Sequence, residues 1–264
     1  MKITIKYVFT ICLLLFCLPA LIHAETAEEK GFALAQKAEK LDQGFGDSSA
    51  NLRMILISRH GDETLRKMRG KFLEVQDDGD KSLLIFENPK DVKGTAMLTH
   101  SHKETADEQW LYLPALHRVK RISSTGKAGP FMGSEFSYED LSSPELEKFS
   151  YKWLREEKYN GMNCDVIERV PLDKDSGYIR EEVWLDKKES RYWKAVYYDR
   201  KKTLLKTLIS SDYKKYNKKH WRAGKLHMTN HQNGKQTILF WEDYAFHLGL
   251  TDKDFHKNVL KRIR

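Results

Sequence analysis

The chain has 264 residues, with 46 Lys and Arg against 38 Asp and Glu and a formal net charge of +8. Charged residues make up 32% and aromatic residues 11%; that is more charge than the ~25% of an average soluble domain and too many core-forming residues for a disordered chain. Mean hydropathy is −0.65, and only one stretch approaches the apolar length of a bilayer span, which excludes a polytopic helical membrane protein.

That stretch comes first. Lys2 and Lys6 precede an uncharged run over residues 7–22, and Ala24 offers a small residue before the polar Glu25. This order predicts a secretory signal peptide over 1–24 and one mature domain over 25–264. The alternative is a retained anchor, against which Pro19 and the shortness of the run argue. Cys12 and Cys17 leave with the signal, so Cys164 remains alone and no intramolecular disulfide forms in the mature chain. Cys164 alternates with Val166 and has no positive neighbour, the setting of a buried, inert thiol.

The mature chain opens with a helix. Thr26 and Glu29 have capping-box spacing, and Phe32, Leu34, Ala35, Ala38 and Leu41 recur at helical intervals until Gly44 and Gly46. From Asn51 the apolar period changes to two. Strands are predicted over about 51–58, 64–75, 82–86, 95–100, 109–113, 149–154, 178–186, 191–199, 203–213, 225–231 and 236–246, with turns such as His60-Gly61-Asp62 between them. At the end, Thr251 and Asp254 are spaced to cap a helix whose apolar stripe is Phe255, Val259, Leu260 and Ile263, and Lys257, Lys261, Arg262 and Arg264 sit at the negative end of its dipole. Regular short strands with a helix at each end predict a mainly β chain, one antiparallel barrel or sandwich with flanking helices.

Catalytic and metal signals are weak. Arg59-His60-Gly61 follows an apolar strand and resembles the signature of histidine phosphatases, but that fold needs a helix next and a second His in the pocket. A hairpin turn accounts for the same residues. His100 and His102, and His227 and His231, are spaced as metal pairs without a third ligand, and surface histidines account for them. No phosphate loop, nucleophile elbow or H-E-x-x-H motif occurs. Residues 200–225 carry ten Lys or Arg against Asp212 alone. Lys214, Lys215, Lys218 and Lys219 lie in that block, which suits a solvated hairpin, an anionic membrane surface or an acidic partner; export argues against nucleic acid.

Three blocks in this order, PKDVKGTAML at 89–98, WLYLPALHRVKRI at 110–122 and FMGSEFSYEDL at 131–141, resemble the LolA-like outer-membrane lipoprotein-sorting protein family. The resemblance implies an incomplete β-barrel closed on its concave side by helices, with a cavity that holds acyl chains. It also implies a periplasmic, non-enzymatic carrier without a cofactor, and members are often associated with RND-type exporters. Candidate lining residues for the acyl chains of a lipid or lipoprotein are then Trp110, Tyr112, Phe131, Met132, Phe136, Trp184, Trp193 and Tyr197. Arg118 and Arg121 are candidates to meet a phosphate or carboxylate at the mouth. An envelope sensor that binds a membrane partner is the competing reading, and a His60-dependent hydrolase a third.

Overall fold

The computed structural model describes residues 24–263, so the predicted signal peptide, apart from Ala24, lies outside the described residues. The first helix, α1 (Ala27–Asp42), starts where the capping box predicts. The Glu29 amide donates to Thr26 Oγ1 at 3.1 Å and the Thr26 amide donates back to Glu29 Oε2 at 2.8 Å. Its buried residues are Gly31, Ala35 and Ala38. This stripe of small side chains lets the helix lie against the edge strand that contains Lys152 and Trp153, while Phe32 and Leu41 stay largely exposed. At Gly31 an added Cβ would stand 2.6 Å from backbone atoms of both Lys152 and Trp153. Gly31→Ala therefore sets helix preference, worth ~1 kcal/mol in favour, against a backbone collision of ~1–3 kcal/mol. The collision wins, because backbone atoms cannot swing aside. The variant is expected to unfold at lower urea than the parent, and an equal or higher midpoint would disprove this close approach.

Fifteen strands follow. They are β1 (Asp47–Ile57), β2 (Glu63–Leu73), β3 (Lys81–Asn88), β4 (Ala96–His100), β5 (Glu108–Leu113), β6 (Arg118–Arg121), β7 (Phe149–Tyr159), β8 (Met162–Pro171), β9 (Tyr178–Asp186), β10 (Tyr192–Asp199), β11 (Leu204–Ser211), β12 (Lys214–Tyr216), β13 (His220–Arg222), β14 (Lys225–Asn230) and β15 (Gln236–Phe246). Thirteen form one antiparallel sheet in the order β6-β5-β4-β3-β2-β1-β15-β14-β11-β10-β9-β8-β7; β12 and β13 pair separately. The chain ends of the sheet do not meet, so β6 and β7 are free edges of an unclosed barrel. β7 lies under α1, whereas β6 reads Arg-Val-Lys-Arg and is mostly exposed, a charged edge of the kind that resists pairing with other chains.

Alternation along the strands sorts side chains between two faces. Leu52, Met54, Met68, Leu84, Phe86, Met97, Leu111, Ile167, Val183, Leu185, Met228 and Leu239 point inward and share one core with α1. The intervening residues Leu83, Ile85, Ala96, Leu98, Trp110 and Tyr112 form a second core on the outer face with Phe255 and Leu260. The C-terminal segment that covers them corrects the expected helix. It is two short 3₁₀ turns, Asp252–Phe255 and Lys257–Arg262, with His256 extended between them. The Thr251/Asp254 capping box is present. Phe255 and Leu260 are five residues apart, which a continuous helix would not place together on one face; the break at His256 lets both be fully buried. The basic block is likewise not one long hairpin. β11 carries Lys206 into the interior, and only 214–222 forms a separate small hairpin.

Candidate functional site

The concave face of the sheet is covered by α1 and by a segment over 122–148 that contains four short 3₁₀ turns. Ile122, Phe131, Phe136 and Leu146 from this cover enter the inner core. Phe131 is fully buried against Phe86 and Tyr138, with ring centroids 5.6 and 5.7 Å away. Its amide donates to the Phe136 carbonyl at 2.7 Å, which folds the segment back on itself. Arg66 on β2 donates to the Met132 carbonyl.

Charged groups also fasten the cover to the sheet. Lys206 on β11 and Asp140 on the cover pair at 2.6 Å, and both side chains are almost wholly buried. The same carboxylate accepts from the Tyr178 hydroxyl at 2.8 Å and from the Ser137 amide at 2.6 Å, and Lys206 also donates to the Glu135 carbonyl at 3.2 Å. Beside this knot, Arg169 on β8 meets Glu181 on β9 at 2.6 Å. Burial alone would disfavour the Arg169 charge; the Glu181 carboxylate more than offsets that and holds the guanidinium above its ordinary range. Glu139 accepts from the Ser176 hydroxyl at 2.8 Å and the Gly177 amide at 3.0 Å. Between cover and sheet lies a cavity of about 280 Å³ whose lining joins these groups to Phe149, Val183, Tyr192, Tyr197 and Leu208.

Of the eight predicted lining residues, only Tyr197 lines the cavity; Phe131, Met132 and Phe136 pack in the inner core and are not part of its lining. Trp110 and Tyr112 lie on the outer face under the C-terminal turns. Trp184 is also outside, in a small cluster with Cys164, Val166 and Val196, and Lys194 lies 4.3 Å from its ring centroid. Trp193 belongs to a surface knot in which Arg191 lies over the rings of Trp193, Tyr213 and Trp221, and the Trp193 Nε1 donates to Asp186 at 2.9 Å. Arg118 and Arg121 are exposed on β6 and are not part of the cavity lining, and Arg121 pairs with Glu108 at 2.8 Å. Lys214, Lys215, Lys218 and Lys219 are exposed on the 214–222 hairpin; Lys215 stands 3.8 Å from Glu189, and Lys219 donates to the Gln43 carbonyl at 2.5 Å. What the sequence reading missed is the polar group Asp140, Lys206, Arg169, Glu181 and Tyr178. Its one signal was Lys206, a lysine in phase with Leu208 on the inward side of a predicted strand.

The other tempting residues each have local work. His60 is exposed in the β1–β2 hairpin, where Ser58 and Asp62 bond across the turn at 2.8 Å, and a strand, not a helix, follows. His100 bonds the Phe255 carbonyl, His102 meets Asp78, His227 meets Gln236 and His231 meets Thr207, all within 2.6–2.8 Å. Cys164 is fully buried, and burial pushes its thiol above the ordinary range. Among the described residues no helix is long and apolar enough to cross a membrane.

Three carboxyls in and beside the cover are displaced upward. Burial pushes Asp80, Glu139 and Glu145 to about 7, with nearby acids adding to it. In the unfolded chain they ionise near 4. Between those values the folded chain holds protons the unfolded chain has released, so stability falls as pH rises from about 4.5 to 7 and stays lower above. The fold is expected to be more stable at pH 5.5 than at pH 8, by on the order of 1–2 kcal/mol per group. Urea titrations at the two pH values check this, and Glu145→Gln should shrink the difference; higher stability at pH 8 would refute it.

Comparison with known proteins follows the same lines. A family model described as an uncharacterised protein matches residues 78–262. No curated protein matches the chain. A crystal structure described as an outer-membrane lipoprotein-sorting protein domain from Vibrio parahaemolyticus is 55% identical, with a TM-score of 0.88 over 89% of this chain and 100% of that one. A DUF1329 family protein from Desulfovibrio piger is 29% identical, with a TM-score of 0.84 over 89% of this chain and 99% of that one. A LolA superfamily protein from Nitrosomonas europaea is 19% identical and shares the fold, with a TM-score of 0.70 over 89% of this chain and 100% of that one. An unclosed antiparallel barrel, a covered apolar concave face and this degree of identity give one conclusion: the chain belongs to the LolA-like family of outer-membrane lipoprotein-sorting proteins.

Proposed function

We propose that the chain, once its signal peptide over 1–24 is removed, is a non-enzymatic periplasmic carrier that shields the acyl chains of a lipid or lipoprotein on the way to the outer membrane. The observation that carries this reading is the cover. The apolar concave face is closed by α1 and the 122–148 segment, not by strands, so the closure can move without breaking the sheet. An acyl chain in water costs ~0.8 kcal/mol per CH₂, and a compartment that opens by lifting a cover meets that need. Phe131, Met132, Phe136 and Tyr197 are the inner residues an entering chain would meet. Native mass spectrometry of the protein purified from its own envelope tests the reading. A co-purifying lipid is expected; a lipid-free protein that also fails to bind fatty-acid probes would overturn it.

An RND-type exporter in the inner membrane is the partner the family resemblance suggests. The exposed Lys214, Lys215, Lys218 and Lys219 are the proposed docking surface toward anionic headgroups, each worth ~1 kcal/mol near such a surface. Changing all four to Gln is expected to weaken binding to anionic vesicles at least tenfold at low salt while barely moving the unfolding midpoint. Equal vesicle binding by the two proteins would end the docking proposal.

A further inference from the structure

Along β3–β5 the outer face of the sheet is covered by the C-terminal turns, but its apolar residues continue beyond that cover. Met68, Met54, Leu239, Met228 and Leu208 belong to the inner core, so their neighbours Lys67, Ile55, Ile238, His227 and Ile209 point outward. The strand register sets Leu65, Ile55, Ile238, His227 and Ile209 side by side across β2, β1, β15, β14 and β11. At the usual strand spacing that row is ~19 Å wide. Leu65 is 46% and Ile209 37% exposed, and Ile55 and Ile238 are half-buried. Two residues along the same strands, ~7 Å away, a second row reads Lys67, Arg53, Phe240 and Lys225. Arg53 pairs with Glu242 at 2.7 Å. Among the described residues Lys67 and Lys225 meet no carboxylate, and Lys225 lies 5.7 Å from the Phe240 ring centroid. The nearby acids leave the cations in surplus: Asp243 accepts from Asn51 at 3.0 Å, and Glu63 stands at the opposite border, beside Ile57. Arg53 holds the Glu242 carboxyl below its ordinary range, and Lys214 of the 214–222 hairpin adds to this. The hairpin cations and the cation row therefore form one continuous band.

We infer that this outer face is the part of the protein that enters the interface of an anionic bilayer, with Leu65 and Ile209 among the headgroups and Lys67 and Lys225 on the phosphates. The inference rests on the docking reading above and deepens it: the hairpin supplies attraction, and the face supplies apolar anchorage. Its composition favours lipid over protein. Protein interfaces are depleted in Lys and anchored by Trp, Tyr and Arg. Here the unpaired cations are Lys, the exposed apolar residues are aliphatic, and neither row contains a Trp or Tyr. Leu, Ile and Phe beside a basic fringe are the pattern of surfaces that lie in a membrane interface. Binding by such a face has two parts. Salt screens the attraction of the cations, whereas the burial of aliphatic side chains is not screened.

Sedimentation of the mature protein with vesicles of phosphatidylcholine and phosphatidylglycerol tests this, at about 0.1 M and about 1 M salt, between which the Debye length falls from ~10 to ~3 Å. The parent is expected to keep part of its affinity at the higher salt. Leu65→Ser combined with Ile209→Ser should weaken binding at least about tenfold at both salts. The quadruple Gln variant of the hairpin should weaken it at low salt only. Cys164 is fully buried, so a cysteine placed at position 65 is the accessible thiol of the mature chain. Leu65→Cys carrying an environment-sensitive fluorophore should shift to the blue on vesicle binding. The same label on Asn258→Cys, exposed on the covered flank, should not. Unchanged binding by the double variant, complete loss of the parent's binding at high salt, or a label at position 65 that stays in water while the protein is bound would overturn the assignment. Each of these leaves the hairpin docking standing and points to a protein partner for the face. Failure of the parent to bind vesicles at either salt would overturn both. If the double variant does not fold, the two labelled proteins decide the matter.

Discussion

Asp140→Ala is expected to lower the stability of the fold by about 3–5 kcal/mol, the range measured when one partner of a buried ion pair is removed. Asp140 gathers the Lys206 ammonium, the Tyr178 hydroxyl and the Ser137 amide on one carboxylate. Without it, Lys206 keeps only the Glu135 carbonyl at 3.2 Å as an acceptor, and that one bond is what remains of its hold on the cover. The loss comes mainly from the orphaned charge rather than from the attraction removed. Changing both members, Asp140→Leu with Lys206→Met, should therefore recover most of the stability that Asp140→Ala loses. Urea unfolding of the single and double variants measures this. A single variant within 1 kcal/mol of the parent, or a double variant worse than the single, would show that the pair is not a fastening.

Phe131→Ala is expected to cost about 3–5 kcal/mol, the usual range for truncating a buried Phe. Phe131 is the cover's deepest side chain, held between Phe86 of the sheet and Tyr138 of the cover itself. Truncation removes the apolar burial and leaves a space that the hydrogen-bonded 131–136 turn cannot collapse to fill. Amides over 122–148 should then exchange faster than those of β3 and β4. Exchange unchanged in the cover, or a loss below 1 kcal/mol, would show that the segment is held by its charged contacts alone.

Much of this architecture was legible in the sequence, because much of it is local. The Thr26/Glu29 capping box, the β1–β2 turn at His60-Gly61-Asp62 and the alternating strands are each specified within a few residues, and the structure has them. The edge strand β6 and the short β12 and β13 escaped because strands of three or four residues, most of them polar or charged, are too short to show an apolar period. β8 was visible only around Cys164 and Val166. The site was legible in part. Period two separates the two faces of a strand, but it does not say which face is inside when both are buried. Trp110 and Tyr112 are as apolar as Leu111 and Leu113, and only the distant Phe255 and Leu260 make their side an outer core. That stripe was itself a clue, since an amphipathic C-terminus needs an apolar surface to lie on. Asp140 gave no local signal, because its pairing is set by a partner 66 residues away.

The outer layer formed by Phe255 and Leu260 has a mechanical meaning. Along β3, β4 and β5 the sheet is clamped between two packed layers, and close-packed layers resist deformation. On the outer face of β1 and β15 stand Arg53 and Glu242, paired at 2.7 Å and about two-fifths exposed, and among the described residues no such layer covers them. The barrel thus has a stiff flank and a compliant one. Any swelling of the interior is taken up by bending on the β1–β15–β14 side, while the β3–β5 flank acts as a fixed wall whose amides open last.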